Sequence, residues 1–345
     1  MDLQQAAERV FAAAPRLKIA VVGDFYLDRY IVGNMEAISR EAPVPIVRVE
    51  HDEYLPGGGG NTTLNVRALG AQTYAVGVIG DDLSAEIMVR EFDRRGVDTR
   101  YLIRDPHRLT PTFNKIYASS YHGRKQQVAR FDQENTEPVS PRDQQRLVEI
   151  LRAEAPHWDA IIVDDYNEVQ ETGVVTAPIL DALTRSAAGS RTVLVGDSRR
   201  RIQRFRGFTA LVPNEVELAL GLGLPENACL EGEELERAAF RFLELTGPQY
   251  LVVTLAEKGA MIFQAGKEPI PVPTWTAAGE VDVTGAGDTF AAMLTVALAG
   301  GSDIVTAVTL ANAAASVVVK KLFTTGTATP DEIRQQLRRP RNSSS

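Results

Sequence analysis

Apolar residues along this chain recur at two spacings, and the switch from one to the other outlines a fold. Short β-rich runs come early, LKIAVVGD at 17–24, VPIVRVE at 44–50 and TYAVGVIGD at 73–81, with Gly/Pro punctuation and one helix-spaced stretch, NTTLNVRALG, between them. From 110 to 132, TPTFNKIYASSYHGRKQQVARFD alternates like two strands joined around His122-Gly123. Taken with the segment 28–50, it predicts a small sheet outside any strand–helix rhythm, placed like a lid.

From about 140 the rhythm is regular. Helix QQRLVEILRAEA leads to strand WDAIIVDDY, helix VVTAPILDALTRSA to strand RTVLVGD, and strand TALVPN to helix EVELALGL. Helix EELERAAFRFLEL, strands QYLVVTLAE and GAMIFQ, and helices at 289–299 and 304–321 complete the series. This alternation predicts an α/β fold: a doubly wound, mostly parallel sheet with helices on both faces, binding ligands beyond the carboxyl ends of its strands. Polar residues stand at those ends: Asp24 and Asp28 after IAVVG, Asp164 and Asp165 after AIIV, Asp197 after VLVG, Asn214 after ALVP, and 254–259 after LVV.

The 345 residues, 44% hydrophobic and 24% charged, suit one large α/β domain or two smaller ones. We read a single domain over 1–345, with a tail at 338–345, RRPRNSSS, too poor in apolar anchors to stay ordered, and a first few residues that fray. No apolar stretch approaches the ~20 residues that span a bilayer, and the start MDLQQAAERVFAAAPRL lacks a signal peptide's basic region and apolar core. A cytoplasmic protein without a membrane partner is expected. Cys229 is the single cysteine, which rules out an intrachain disulfide and a Cys-built metal site. The histidines, His51, His107, His122 and His157, are scattered and read as surface residues. A net charge of −8 and a pI near 5.2 argue against nucleic acid as the main partner. The basic run SRRRIQRFR at 198–206 is either a local anion site or a solvated face.

A doubly wound sheet raises the question of a nucleotide. The dinucleotide fingerprint G-x-G-x-x-G and the P-loop G-x-x-x-x-G-K-[ST] are both absent, and the first strand is followed by GDFYLD, whose aspartates repel a pyrophosphate. The run PGGGGNTTLN at 56–65 lacks the P-loop's Lys-Ser/Thr pair and is a flexible turn or a site. More specific is VDVTGAGDTF at 281–290, which sets Asp288 at the mouth of an apolar helix. Unpaired amides around Gly285, Ala286 and Gly287 can hold a phosphoryl group there. Read at the cap position, Asp288 is either an N-cap or a general base kept ionised by the helix dipole, with Asp282 six residues earlier placed for a cation.

DVTGAGDTF resembles the C-terminal signature of the ribokinase/PfkB-type sugar kinases, and the likeness runs over residues 15–335. It takes in the glycine loop with Asn61, the N-x-x-E element Asn214-Glu215-Val216-Glu217 and the loop VTLAEKGA. The resemblance implies a ribokinase-like fold with a β-sheet lid, ATP and Mg2+ as cofactors, and leaves a monovalent cation open. It implies Asp288 as catalytic base and 285–287 as the anion hole, with Asn214 and Glu217 organising Mg2+ through water. Thr254, Glu257 and Gly259 then lie along ATP, and Asn312 borders the adenine unless it is a buried polar helix residue. Trp275 is a candidate for packing near the nucleotide. Asp28, Gly57, Gly58 and Asn61 would hold sugar hydroxyls. Lids of this family often pair, so a homodimer through the lid sheet, using Tyr30, Ile31, Ile46 and Val47, is expected.

Within the family, VGDFYLDRYIVG, SREAPVPIVRVE, PGGGGNTTLNVRALGA, PTFNKIY with GRKQQVARFD, FRGFTALVPNEVE and KLFTTGTATPDEI are most similar to the heptose-7-phosphate kinase domain of ADP-heptose synthesis. Lys115, Arg124, Gln126, Gln127 and Arg130 either meet a phosphate on that substrate or form a solvated strand face. Two segments depart from the pattern. Ser-Asp-Tyr-x-Lys-Gly is here Asp164-Asp165-Tyr166-Asn167-Glu168-Val169, and Asp-Pro-Lys is Asp197-Ser198-Arg199, so that Arg199 is a candidate replacement for the lost positive charge. No H-x-G-H element of a nucleotidyltransferase occurs, and kinase activity only is expected. Other PfkB-type sugar kinases, a catalytically silent binding homologue and a dinucleotide oxidoreductase are the alternatives.

Overall fold

The computed structural model describes residues 2–119, 123, 125–167, 171–275, 279–322 and 324–340. Its strands are β1 (Lys18–Gly23), β2 (Phe25–Ile38), β3 (Pro45–Gly58), β4 (Gln72–Gly80), β5 (Asp98–Asp105), β6 (Thr112–Ser119), β7 (Gln126–Gln133), β8 (Ala160–Asp165), β9 (Val193–Ser198), β10 (Ala210–Leu211), β11 (Tyr250–Thr254), β12 (Ala260–Phe263) and β13 (Ile270–Val272). Nine form one sheet in the order β13-β12-β11-β10-β9-β8-β1-β4-β5, parallel from β5 through β11 with β12 and β13 antiparallel at the edge. Strand β1, inside the sheet between β8 and β4, is apolar on both sides because both sides are covered. Ile19 and Val21 join one core and Ala20 and Val22 the other, as the two-residue period of a strand requires.

Helices supply the covers. On one face lie α1 (Leu3–Ala13), α2 (Gly59–Ala68), α8 (Ala286–Ala299), α9 (Ile304–Val318) and α10 (Pro330–Leu337); on the other lie α4 (Pro141–Glu154), α5 (Ala177–Ala187), α6 (Glu215–Gly221) and α7 (Gly232–Thr246). A third cluster packs α3 (Leu83–Arg95) against β2 and β4 through Met88, Phe92, Phe25 and Ile79. Helices α8 and α9 are apolar nearly all round, as central helices must be.

Several expectations are corrected by these helices. The start of the chain does not fray from Leu3 onward: Ala6, Ala7, Val10 and Phe11 of α1 are buried on a helix-spaced face, and Asp2 caps it. Trp275 is a core residue, 4% exposed, with Nε1 donating to the carbonyl of Arg339 at 3.1 Å, so Arg339 in the anticipated tail is tied down. Residues 341–345 of that tail, with His122, Arg124, Glu168 and Val169, lie outside the described residues.

The remaining four strands form the second sheet, β3-β2-β6-β7, with β2 antiparallel to β3 and parallel to β6. It is larger than the sequence pattern suggested, because β2 and β3 are 14 residues each. Strand β3 runs into the glycines, and Gly58, at φ +54°, turns the chain directly from strand into α2, so PGGGG is not a flexible loop. Ile38, Ile46, Val49 and Phe131 are exposed on this sheet, whereas Tyr30, expected on an open face, is buried.

Candidate active site

The lid sheet, the carboxyl ends of β8 and β9 and the start of α6 enclose a cleft of ≈ 530 Å³. Asp28, Gly58, Lys115, Gln127 and Arg130 line it from the lid, and Arg199, Asn214, Glu217, Gly285, Gly287 and Asp288 from the main body. Eleven positions chosen from sequence thus meet in one cavity, although they come from elements far apart in the chain.

Asp288 enters from the first turn of α8. The N-cap is Gly285, at φ +78°, so Asp288 stands three residues inside the helix and is not its cap. Its Oδ2 accepts from Asn61 Nδ2 at 2.6 Å. Desolvation by the cleft walls pushes the Asp288 carboxyl above the ordinary carboxylate range, against the Asn61 hydrogen bond and the Arg199 charge, which favour the anion. Desolvation thus opposes the helix dipole, which favours the anion.

Other carboxylates crowd the same floor. Asp164, the fifth residue of β8, accepts from Thr62 Oγ1 at 2.6 Å; burial and then the Asp288 charge raise its pKa well above the usual value. Burial and Glu217 do the same to Asp197. Glu217 closes a reciprocal capping box at α6: its backbone N–H donates to Asn214 Oδ1 at 2.8 Å and its Oε2 accepts from the Asn214 N–H at 2.9 Å. Burial raises it to about 7. Arg199 is the counter-charge, its guanidinium 4.0 Å over the Tyr166 ring and donating to Tyr166 Oη at 2.5 Å, and its charge favours the ionised forms of Asp164, Asp197, Glu217 and Asp288.

On the lid, Lys115 pairs with Asp28 at 3.0 Å and Arg130 with Asp132 at 2.9 Å, the latter guanidinium 4.2 Å from the Phe113 ring. Gly57 makes room for Asp28, since a Cβ there would stand 2.8 Å from Asp28 Oδ2.

The other chosen residues do not line the cleft. Asn61 lies behind Asp288, and Ala286 is the first residue of α8. Thr254 bridges backbone to backbone with Asn214, Glu257 is exposed in the turn after β11, and Gly259, at φ +96°, closes that turn where a Cβ would meet the Val272 carbonyl at 2.3 Å. Asp282 accepts from the Thr284 N–H at 3.0 Å and so shapes a turn. Asn312 is buried and donates to the Val272 carbonyl at 2.9 Å, which fits the reading of a buried polar helix residue. Among the described residues no group of three or more His, Cys, Asp or Glu has the arrangement to hold a metal by itself, and no helix is long and apolar enough to cross a membrane.

Sequence reasoning missed Thr62 and Tyr166 as parts of this site. Their only signal was adjacency to Asn61 and Asp165, and what they touch is set by the fold. The basic run at 198–206 is neither a patch nor an anion site as a whole: Arg201 is buried against Asp165, Arg204 pairs with Glu171 and Arg206 reaches the Leu245 carbonyl.

A two-sheet α/β architecture with a helix mouth and carboxylates facing a lid-covered cleft is that of the ribokinase-like sugar kinases. Arabidopsis thaliana ribokinase complexed with ribose and ATP superposes with a TM-score of 0.69 at 22% identity, covering 95% of this chain and 100% of that one. Phosphofructokinase-2 from Escherichia coli in complex with potassium gives 0.71 at 17% identity, covering 93% and 98%. The chain belongs to the pfkB family of carbohydrate kinases, whose pattern matches residues 16–332. Members of that family use ATP, typically with Mg2+. The bifunctional protein HldE of Trichlorobacter lovleyi is 36% identical over 332 residues, covering 96% of this chain and 65% of that protein, and HldE of Geobacter sulfurreducens is 36% identical over 328 residues, covering 94% and 64%. The chain therefore spans a little under two-thirds of the length of these curated relatives.

Proposed function

We propose that this sugar kinase transfers the γ-phosphoryl group of ATP to a heptose 7-phosphate, giving the 1,7-bisphosphate and ADP. The observation that carries the phosphoryl-transfer reading is Asp288, projecting into the cleft from the first turn of α8, where Gly285 and Gly287 also line the cleft with their backbone; the Ala286 N–H is given to the Val283 carbonyl at 3.1 Å. Asp288 takes the proton of the attacking sugar hydroxyl as its oxygen forms the new bond to phosphorus, and the bond to the ADP oxygen breaks. The amides of Gly285 and Gly287 meet the charge on the phosphoryl oxygens. A carboxyl raised above the ordinary range by desolvation is the better base for this task near neutral pH.

Asn214 and Glu217 fit a water-mediated Mg2+. The capping box occupies Asn214 Oδ1 and Glu217 Oε2, leaving Glu217 Oε1 to meet a hydrated ion. When bound, Mg2+ neutralises phosphate charge. Thr254, Glu257 and Gly259 border the nucleotide, and Asp28, Gly58, Lys115, Gln127 and Arg130 the sugar. Arg199, the counter-charge to four carboxylates, replaces the lysine of related chains near a phosphate. The likeness to HldE proteins and the shared segments support heptose 7-phosphate. A cytoplasmic homodimer joined through the exposed Ile38, Ile46 and Val49 of the lid completes the proposal.

One observation favours a second reading, a kinase for an unphosphorylated sugar such as fructose or ribose: Lys115 and Arg130 are already paired with Asp28 and Asp132. A panel of heptose 7-phosphate, fructose and ribose, followed by ADP release, separates the two. Turnover on fructose or ribose with none on heptose 7-phosphate rejects the first reading.

A further inference from the structure

A second recess, of ≈ 380 Å³, lies between α7 and the turn that follows α6, and it shares no lining residue with the cleft. Leu230 and Ala238, both buried, form its floor, and the half-buried Leu222 and Leu224 its wall. That wall is held by the backbone: the Leu222 N–H donates to the Leu218 carbonyl at 3.2 Å, and the Leu224 N–H to the Ala219 carbonyl at 2.9 Å. Small-molecule sites commonly enclose about 300–1,000 Å³ with mostly apolar walls and a few polar groups, and this recess is of that kind. Three charged side chains border it, Glu234, Arg237 and Arg241, and their spacing puts all three on one face of α7. Arg94, Arg95 and Arg185, on other helices, each pair with a carboxylate three or four positions earlier. Arg237 has Glu234 at the same spacing, yet neither its guanidinium nor that of Arg241 has an ion pair among the described residues.

We propose that this recess is a binding site for a small amphiphilic anion, a carboxylate or sulfonate with an apolar body of about eight to ten carbons. The headgroup lies against Arg237 and Arg241, whose guanidiniums are free to donate to it, and the body covers Leu222, Leu224 and Leu230. Glu234 sets the direction. It precedes Arg241 by seven residues, or about 10 Å along the helix axis, and repels an anion placed at its own end. Burial of the body supplies the affinity, at about fourfold for each fully buried methylene. The two guanidiniums select the sign of the headgroup. The site acts independently of the reaction in the cleft, since its occupant touches neither Asp288 nor the residues around it.

The test titrates anilinonaphthalene sulfonate, an aromatic body with one sulfonate, into the full chain and follows its fluorescence. Octanoate and decanoate should displace the dye, decanoate about tenfold more tightly, and octylammonium, of the same shape and opposite sign, at least about tenfold more weakly than octanoate. ATP with Mg2+ should leave the signal unchanged. Arg237→Gln combined with Arg241→Gln changes two exposed side chains and should weaken octanoate about tenfold, with the KM for ATP within about twofold of the wild type. Cys229, the single cysteine, is exposed on the edge of the recess and gives a second reading. Decanoate should slow its alkylation by neutral iodoacetamide in the wild type, and should slow it less in the double variant. Equal displacement by octanoate and octylammonium, loss of the signal to ATP with Mg2+, or unchanged octanoate binding in the double variant overturns the proposal. So does an unchanged alkylation rate at a decanoate concentration that displaces the dye, and so does a wild-type chain that binds neither dye nor decanoate.

Discussion

Lys115 Nζ lies 3.0 Å from Asp28 Oδ1 inside the lid, with Tyr30 Oη 3.3 Å from the same ammonium and both members of the pair buried. Burial raises the Asp28 carboxyl despite the lysine, so the pair is held at a desolvation cost. Lys115→Met leaves that carboxylate without its counter-charge and should destabilise the protein by about 3 kcal/mol at pH 8. At pH 5 the loss should be smaller, because Asp28 then takes up a proton. Urea unfolding at the two pH values measures this, and an equal loss at both contradicts it.

Asp24 is a buried carboxylate at the root of the lid. Its Oδ1 accepts from the Val174 N–H at 2.7 Å, while Oδ2 has no hydrogen-bond partner among the described residues. Burial, then the Asp165 charge, raise it to about 7. A folded-state pKa above the unfolded value of ~3.9 means that ionisation opposes folding. The stabilising contribution of neutral Asp24 is present below pH ~4 and is lost as pH rises to about 7. Asp24→Asn keeps the acceptor for Val174 and removes the titration. It should be more stable than wild type by about 2 kcal/mol at pH 8, with the difference vanishing near pH 4.

Gly285 and Gly287 flank the same helix mouth under different constraints. Gly285 has φ +78° and a hypothetical Cβ 2.6 Å from Asn61, whereas a Cβ on Gly287 meets nothing within 4 Å. Gly285→Ala should lose about 1–3 kcal/mol of stability, and about a hundredfold in kcat through displacement of Asn61. Gly287→Ala should unfold like the wild type yet lose turnover, because its methyl group occupies the cleft. Equal stability losses in the two variants contradict the distinction.

Arg201 and Asp165 lock the ends of β9 and β8 together, Arg201 Nε donating to Asp165 Oδ2 at 3.1 Å and Ser198 Oγ donating to the same oxygen at 2.7 Å. This lock sets the bases from which Tyr166 and Arg199 reach the cleft. Arg201→Met should cost about 3–5 kcal/mol by stranding a buried carboxylate. Arg201→Lys should restore only part of it, since an ammonium lacks the planar fork. Full stability in Arg201→Met, measured by thermal unfolding, contradicts the lock.

The alternating strands and helices from 140 onward were legible because both periods were strong, and the floor of the cleft was legible because a parallel sheet puts its chemistry at its carboxyl ends. The helix α1 was missed for a physical reason: its buried face of Ala6, Ala7, Val10 and Phe11 is mostly alanine and gives little contrast until α9 and α10 pack against it. Asp288 was identified but misplaced by three positions, since GAG reads equally as a turn before a cap or as the first turn itself. The partners of Asn61 and Thr62 were not legible, because 227 and 102 residues separate them from Asp288 and Asp164 and no local pattern carries such a contact.

The central claim is proton removal by Asp288 during transfer of phosphate from ATP to a sugar. Its most direct test compares ADP release from ATP with heptose 7-phosphate in the wild type and in Asp288→Asn, an isosteric change that leaves the helix mouth in place. The account predicts sugar-dependent turnover in the wild type and a fall in kcat of about a thousandfold in Asp288→Asn, with the KM for ATP little changed. Turnover by Asp288→Asn within about tenfold of the wild type would contradict it.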